Sequence, residues 1–182
     1  MAAAISSAAE IISAMLPGCP GRDNPFANGA DTMSEHYPVT VLEPADRERW
    51  GDLWRGYLTF YETELPPDMY DATWARIVDP AGTIRALGVR DPDGRLVGIT
   101  HYLFHAHAWS RDDACYLQDL FVDAEFRGHG YARALIEGVA DVARERGCCR
   151  LYWSTQQQNA TARRLYDRVA EFRGFIRYEF SL

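Results

Sequence analysis

The chain has 182 residues, 47% of them hydrophobic and 13% aromatic, with a formal net charge of −7. That is one domain's worth of sequence, long enough to bury a real core. The acidic balance argues against nucleic acid as the main partner, which would want a basic face, and favours cationic partners through steering.

In chain order, residues 1–34 read as a flexible or dispensable extension. Met1 to Leu16 is apolar and rich in small residues, with a short helical stripe but without the positive start of a signal peptide. Pro17 to Asp31 reads as a linker, and the domain proper takes in residues 35–182. Val39 to Leu42 is a short strand. A helix begins at Pro44 and runs through Trp50, Leu53, Trp54 and Tyr57 to about Tyr61, until Leu65-Pro66-Pro67 breaks it. A second helix covers Met69 to Val78. Ile84 to Val89 is a strand, Asp91-Pro-Asp-Gly94 a turn, and Leu96 to Ala108 and Ala114 to Val122 two further strands. The helix Ala132 to Arg146 ends at Gly147. A fifth strand covers Arg150 to Thr155 and a last helix Asn159 to Val169. The alternation in Gly174 to Phe180 predicts a strand that closes the sheet. No apolar run is long enough to span a membrane. The four cysteines hold no C-x-x-C pair, so neither a disulfide framework nor a zinc site is indicated, and reduced thiols in the cytoplasm are the expectation.

The most informative stretch is Arg127-Gly128-His129-Gly130-Tyr131-Ala132. It follows the apolar run Leu120-Phe121-Val122 and opens a helix. Strand, glycine-rich turn and helix in that order make an anion cradle. Glycine lets the backbone approach an anion closely, and the helix start points N–H groups and a positive dipole end at it. Arg127 adds a forked cation suited to phosphate. The pattern reads as a pyrophosphate site. A dinucleotide fingerprint would need glycine where Arg133 stands, and the Walker lysine is absent.

Leu120-Phe-Val-Asp-Ala-Glu-Phe-Arg-Gly-His-Gly-Tyr-Ala132 resembles the acetyl-CoA motif of the GNAT superfamily of N-acetyltransferases. Leu151-Tyr-Trp-Ser-Thr155, Asn159 to Tyr166 and Asp167-Arg-Val169 resemble its histone/polyamine acetyltransferase-like branch. Tyr116 to Val122 resembles the fourth strand of spermidine/spermine acetyltransferases. The match is specific from about Tyr116 to Phe180. The resemblance implies an α/β (α+β mixed sheet) GNAT-type fold: a central, twisted, mostly antiparallel sheet with a splayed strand pair holding acetyl-CoA, flanked by about four helices. It implies acetyl-CoA as co-substrate without a metal, an amine acceptor, and a homodimer joined through the C-terminal strand around Phe175 to Phe180.

The resemblance also assigns residues. Tyr166 matches the tyrosine that protonates the leaving sulfur, a role open to a phenol near its ordinary pKa of about 10. By residue pattern alone, Tyr166 is a core tyrosine on the face it shares with Ala162, Leu165 and Val169. Asn159 is an N-cap, a cofactor contact, or both, and Arg163 falls in the same cofactor-binding block. Leu120, Phe121 and Val122 are expected to pair with pantetheine through their backbone. Gly128, His129, Gly130, Tyr131 and Ala132 complete the cofactor set with Arg127. Asp119 is either the general base or a structural hydrogen-bond acceptor. Gln118 sits where the spermidine/spermine enzymes carry a glutamate, and an amide cannot take a proton. Gln118, Glu62 and Glu64 are the candidates for acceptor binding, the two glutamates also fitting a solvated loop.

His101, His105 and His107 share one strand face by period two, a pattern open to metal binding, to base chemistry or to plain sheet packing. With no cysteine or serine placed as an activated nucleophile, direct attack in a ternary complex is the expected route. The acceptor reads as a small cationic amine. A protein lysine or N-terminus, a non-catalytic acyl-CoA-binding module and a charged tRNA acceptor are the alternatives.

Overall fold

The computed structural model describes residues 37–182; the predicted extension over residues 1–34 lies outside them. Strands β1 (Val39–Val41), β2 (Ile84–Arg90), β3 (Leu96–His105), β4 (Ala114–Val122) and β5 (Arg150–Tyr152) form one sheet in the order β1-β2-β3-β4-β5. The first three pairings are antiparallel and β4–β5 is parallel. Helices α1 (Arg47–Phe60) and α2 (Pro67–Val78) lie between β1 and β2, α3 (Tyr131–Glu145) follows β4, and α4 (Ala160–Val169) follows β5.

Two apolar clusters cover the two faces. On one, Leu135, Ile136, Val139 and Ala143 of α3 pack with Leu87, Val97, Tyr102, Leu117 and Val122. On the other, Trp50, Leu53, Trp54 and Leu58 of α1 pack with Ile77, Ala86 and Ile99. Two ion pairs tie α1 and its approach to the sheet. Arg49 donates to the Leu96 carbonyl and, at 2.6 Å, to Asp123, while Arg90 grips both carboxylate oxygens of the buried Asp46 at 2.8 Å.

The strand register decides which side chains face which helix. His101 pairs with Asp119 but Tyr102 pairs with Leu117, so Gln118 is the extra residue of a bulge. A bulge reverses the alternation that follows it. Before it, Cys115 and Leu117 face α3; beyond it, Leu120 and Val122 do, and Phe121 joins the α1 side. Asp119 is thereby turned toward α1.

The helix α3 ends as its sequence requires. Gly147 takes φ +75, and Cys148 N–H reaches back to the Ala143 carbonyl, the bond of a Schellman cap. Three expected strands differ. β3 stops at His105 and β5 at Tyr152, both three residues short. The predicted closing strand Gly174 to Phe180 does not form: residues 171–182 carry no helix or strand, and Phe172, Phe175, Ile176, Tyr178 and Phe180 are all exposed. Alternation makes a segment fit for a sheet but does not decide that it pairs: among the described residues the sheet keeps free edges at β1 and β5, and this segment forms no strand on either.

Candidate active site

β4 and β5 pair only over Ala114–Tyr116 with Arg150–Tyr152. Beyond Tyr116 the two strands part, and the β4 edge from Leu117 to Val122 runs on without β5 beside it. At the far end of that edge a 3-10 turn, Ala124–Phe126, leads to the glycine turn and α3. Gly128 and Gly130 hold φ +87 and +90, the left-handed region that other residues adopt at a cost. An added Cβ at Gly128 would meet nothing of the protein within 4 Å, so the turn is open on that side. Gly130 offers no capping side chain, the first helical bond runs from Ala134 N–H to the Gly130 carbonyl, and the first turn holds no acidic residue. The turn therefore fits an anion such as the CoA pyrophosphate.

Other members of the expected cofactor set have defined places. Arg127 folds back along the strand: its Nε donates to the Val122 carbonyl at 3.1 Å and its guanidinium lies over the Phe121 ring at 5.5 Å. His129 is exposed and its Nδ1 sits 3.3 Å from the Phe126 carbonyl. The side chain of Tyr131 is core, buried and tilted against Tyr37 with ring centroids 4.2 Å apart, which leaves its backbone for the cradle. Ala132 and Leu120 pack against the α3-side cluster, and Phe121 against the α1-side cluster. Asn159 is a true N-cap, its Oδ1 accepting from Ala162 N–H. Arg163 donates to the Gln157 carbonyl and its guanidinium lies over Phe172.

At the splay a second group of residues gathers. Asp119 Oδ2 lies 2.9 Å from His101 Nδ1, and the Asp119 side chain stays 18% exposed. The Tyr57 hydroxyl on α1 interacts with the same carboxylate. Tyr57 meets Tyr61 one turn on, ring centroids 4.9 Å apart, and Tyr61 is in turn the charge neighbour of Tyr166 on α4. Tyr166 stands edge-on to Trp153 at 5.4 Å. Burial first, then Tyr61, pushes the Tyr166 phenol up to about 12. Burial and then the Asp119 charge push Tyr57 well above the ordinary phenol range, and burial above all raises Tyr61. All three phenols therefore keep their protons at neutral pH.

The structure thus brings Asp119 and Tyr166, distant in sequence, into one cluster through Tyr57 and Tyr61. Gln118 is exposed on the bulge. Glu62, at φ 53 just past α1, is exposed. Glu64 lines a separate open groove between α1 and α2 with Arg47, Arg55 and Asp71. The histidine triplet does not gather. His101 is buried, His105 Nε2 meets the Tyr152 hydroxyl at 2.9 Å, and His107 lies beyond the strand end. Among the described residues no group of three potential ligands could hold a metal ion. Tyr57 and Tyr61 join this cluster although their i, i+4 spacing reads in the sequence as an apolar helix stripe.

The acetyltransferase (GNAT) family profile matches residues 48–172. The D-amino-acid N-acetyltransferase HPA3 of Saccharomyces cerevisiae is 36% identical over 139 residues, 76% of this chain and 86% of that protein. The L-2,4-diaminobutyric acid acetyltransferase of Streptomyces coelicolor is 35% identical over 134 residues, 71% of this chain and 74% of that protein. Among solved structures, the aminoglycoside N-acetyltransferase AAC(6')-Iy in complex with CoA superposes with a TM-score of 0.68 at 17% identity, covering 83% of this chain and 98% of that one. The chain belongs to the acetyltransferase (GNAT) family, and it is an acetyl-CoA-dependent N-acetyltransferase.

Proposed function

We propose that the chain moves an acetyl group from acetyl-CoA to a small cationic amine, by direct attack of that amine in a ternary complex. The observation that carries this reading is the Asp119 carboxylate, partly open to solvent and set among the rings of Tyr57 and Tyr61. A carboxylate beside phenol hydroxyls suits an ammonium group by charge and by hydrogen bonding. The named relatives support the class of acceptor, since diaminobutyric acid and D-amino acids are small amines.

Acetyl-CoA supplies the thioester carbonyl that the amine attacks. Gly128, Gly130 and the start of α3 would hold its pyrophosphate, with Arg127 beside them, and the unpaired β4 edge from Leu120 to Val122 would pair with its pantetheine arm. Asp119 takes a proton from the bound ammonium, which frees the nitrogen lone pair to attack the carbonyl, and the second N–H proton passes to solvent as the C–N bond forms. Tyr166 gives its phenolic proton to the sulfur as the C–S bond breaks. Holding amine and thioester in line contributes much of the rate.

Tyr166→Phe tests the reading. It keeps the ring against Trp153 and removes the proton, so kcat should fall about 100-fold while acetyl-CoA still binds. Unchanged turnover would remove Tyr166 from the acid role.

Homodimerisation belongs to the same reading. Residues 172–180 present five bulky apolar side chains to solvent, and a second copy of the chain is a partner that would cover them.

A further inference from the structure

Beneath Asp119 lies a buried chain of hydrogen bonds that the transfer reaction as described does not use. Trp50 Nε1 donates to His101 Nε2 at 2.9 Å, and His101 Nδ1 reaches Asp119 Oδ2 at 2.9 Å. Trp50 is fully buried and His101 is 2% exposed. An indole N–H is a donor only. His101 Nε2 therefore accepts, carries no proton in this arrangement, and leaves the ring proton on Nδ1, where it is donated to Asp119. The tautomer is set by its neighbour on α1.

Three further features aim the same carboxylate. His101 and Asp119 are cross-strand partners in register. The bulge at Gln118 turns Asp119 toward α1 rather than α3. The Thr100 hydroxyl, fully buried, donates to the Asp119 backbone carbonyl at 2.8 Å. A buried polar chain is costly to keep where apolar packing would serve, yet this one is fully satisfied and ends on the Asp119 carboxylate at the splay.

We infer that His101 is a positioning residue: locked by Trp50 with its proton on Nδ1, it holds Asp119 in the rotamer that faces the acceptor amine. The inference rests on the reading of Asp119 as the acceptor-facing carboxylate. The lock also sets the direction of proton flow. His101 can take no proton on Nε2 without giving up the Trp50 bond, so a proton accepted by Asp119 leaves outward, toward the acceptor mouth. In the opposite tautomer a lone pair on Nδ1 would face the carboxylate and repel it.

Two substitutions separate positioning from packing. An asparagine amide overlies the Nδ1 end of the ring and a glutamine amide the Nε2 end. His101→Asn keeps a donor for Asp119 and abandons Trp50, whereas His101→Gln keeps an acceptor for Trp50 and abandons Asp119. Steady-state kinetics with a small diamine should show His101→Asn within about threefold of wild-type kcat and His101→Gln about tenfold down, at similar melting temperatures and unchanged KM for acetyl-CoA. In an Asp119→Asn background, His101→Gln should cost nothing more, because its effect runs through the carboxylate. Equal losses in the two variants, or an undiminished loss in the Asp119→Asn background, would overturn the inference. Wild-type turnover by Asp119→Asn itself would instead overturn the underlying reading of Asp119. Should both His101 variants fail to fold, nitrogen NMR of the wild-type imidazole decides. A proton on Nδ1 supports the lock, and a proton on Nε2 overturns it.

Discussion

Arg127 Nε donates to the Val122 carbonyl at 3.1 Å, so the cation of the glycine turn is tied to the strand edge that precedes it. One side chain thereby couples the two parts of the proposed cofactor site: the turn that suits a pyrophosphate and the β4 edge, uncovered by β5, that suits an amide-bearing arm. Removing it should act on both. Arg127→Ala is expected to weaken CoA binding by about 1.5–3 kcal/mol, the scale of a lost charge-assisted hydrogen bond. Titration calorimetry with CoA checks this, and unchanged affinity would mean that the anion site lies elsewhere.

Gly56 on α1 meets the Phe121 ring so closely that an added Cβ would lie 2.7 Å from it. In an exposed helix, Gly→Ala would stabilise by about 0.8–1 kcal/mol. Here overpacking costs about 1–3 kcal/mol and wins, because the ring is wedged between α1 and the sheet. Gly56→Ala should therefore destabilise the domain by about 1 kcal/mol, a fall in Tm of roughly 2–4 °C at this size. Because Phe121 lies on the splayed edge, KM for acetyl-CoA should rise in the same variant. Thermal unfolding and steady-state kinetics check the two parts.

Asp123 binds Arg49 across the α1–sheet junction. Burial opposes its charge, but the Arg49 hydrogen bond, the Glu125 N–H and the neighbouring guanidinium charges outweigh burial and hold the carboxyl below its ordinary value. A group lowered in the folded state lends stability above its unfolded pKa and loses it as pH falls through the folded one. Arg49→Met should thus destabilise by about 1.5–3 kcal/mol near neutrality. The difference from wild type should shrink on acidification through the carboxylate range. Urea melts at several pH values check it; a deficit constant with pH would show that Arg49 acts through packing and its Leu96 hydrogen bond and not through the Asp123 charge.

Tyr166, its phenol pushed up to about 12, should remain a proton donor across the alkaline range. The kcat profile should then stay free of a phenolic fall up to about pH 11. A fall near pH 10 that vanishes in Tyr166→Phe would show an unperturbed phenol and a different environment from the one described.

The apolar residues after α4 should govern assembly. Phe175→Glu with Ile176→Glu is expected to convert a dimer to a monomer in light scattering, with the helical circular dichroism unchanged. A wild-type chain that is monomeric at micromolar concentration would overturn the homodimer.

Much of this was legible in the sequence because it is local. The cradle's glycines, the Pro66-Pro67 break, the Gly147 cap and the Asn159 cap each act within a few residues, and each lies where its pattern points. The five strands that form were also legible, since their partners lie in the same chain. What the sequence hid depends on register. A single bulge residue, Gln118, reverses the face of Asp119, and no local pattern announces it. The same bulge explains why Asp119, rather than Gln118, meets α1. Tyr57 and Tyr61 read as helix stripe because their partners come from β4 and α4, far away in the chain. The closing strand shows the complementary limit: alternation reports a fitness to pair, and not that pairing takes place, even where β5 leaves an outer edge open.

Acetyl transfer to a small cationic amine beside Asp119 is checked by thiol release from acetyl-CoA across a panel of acceptors. The panel would hold polyamines, basic amino acids, aminoglycosides and lysine peptides, each with wild type and with Asp119→Asn. Turnover is expected with small cationic amines, with a large loss in Asp119→Asn. Turnover confined to the peptides, or a small-amine activity indifferent to Asp119, would contradict it.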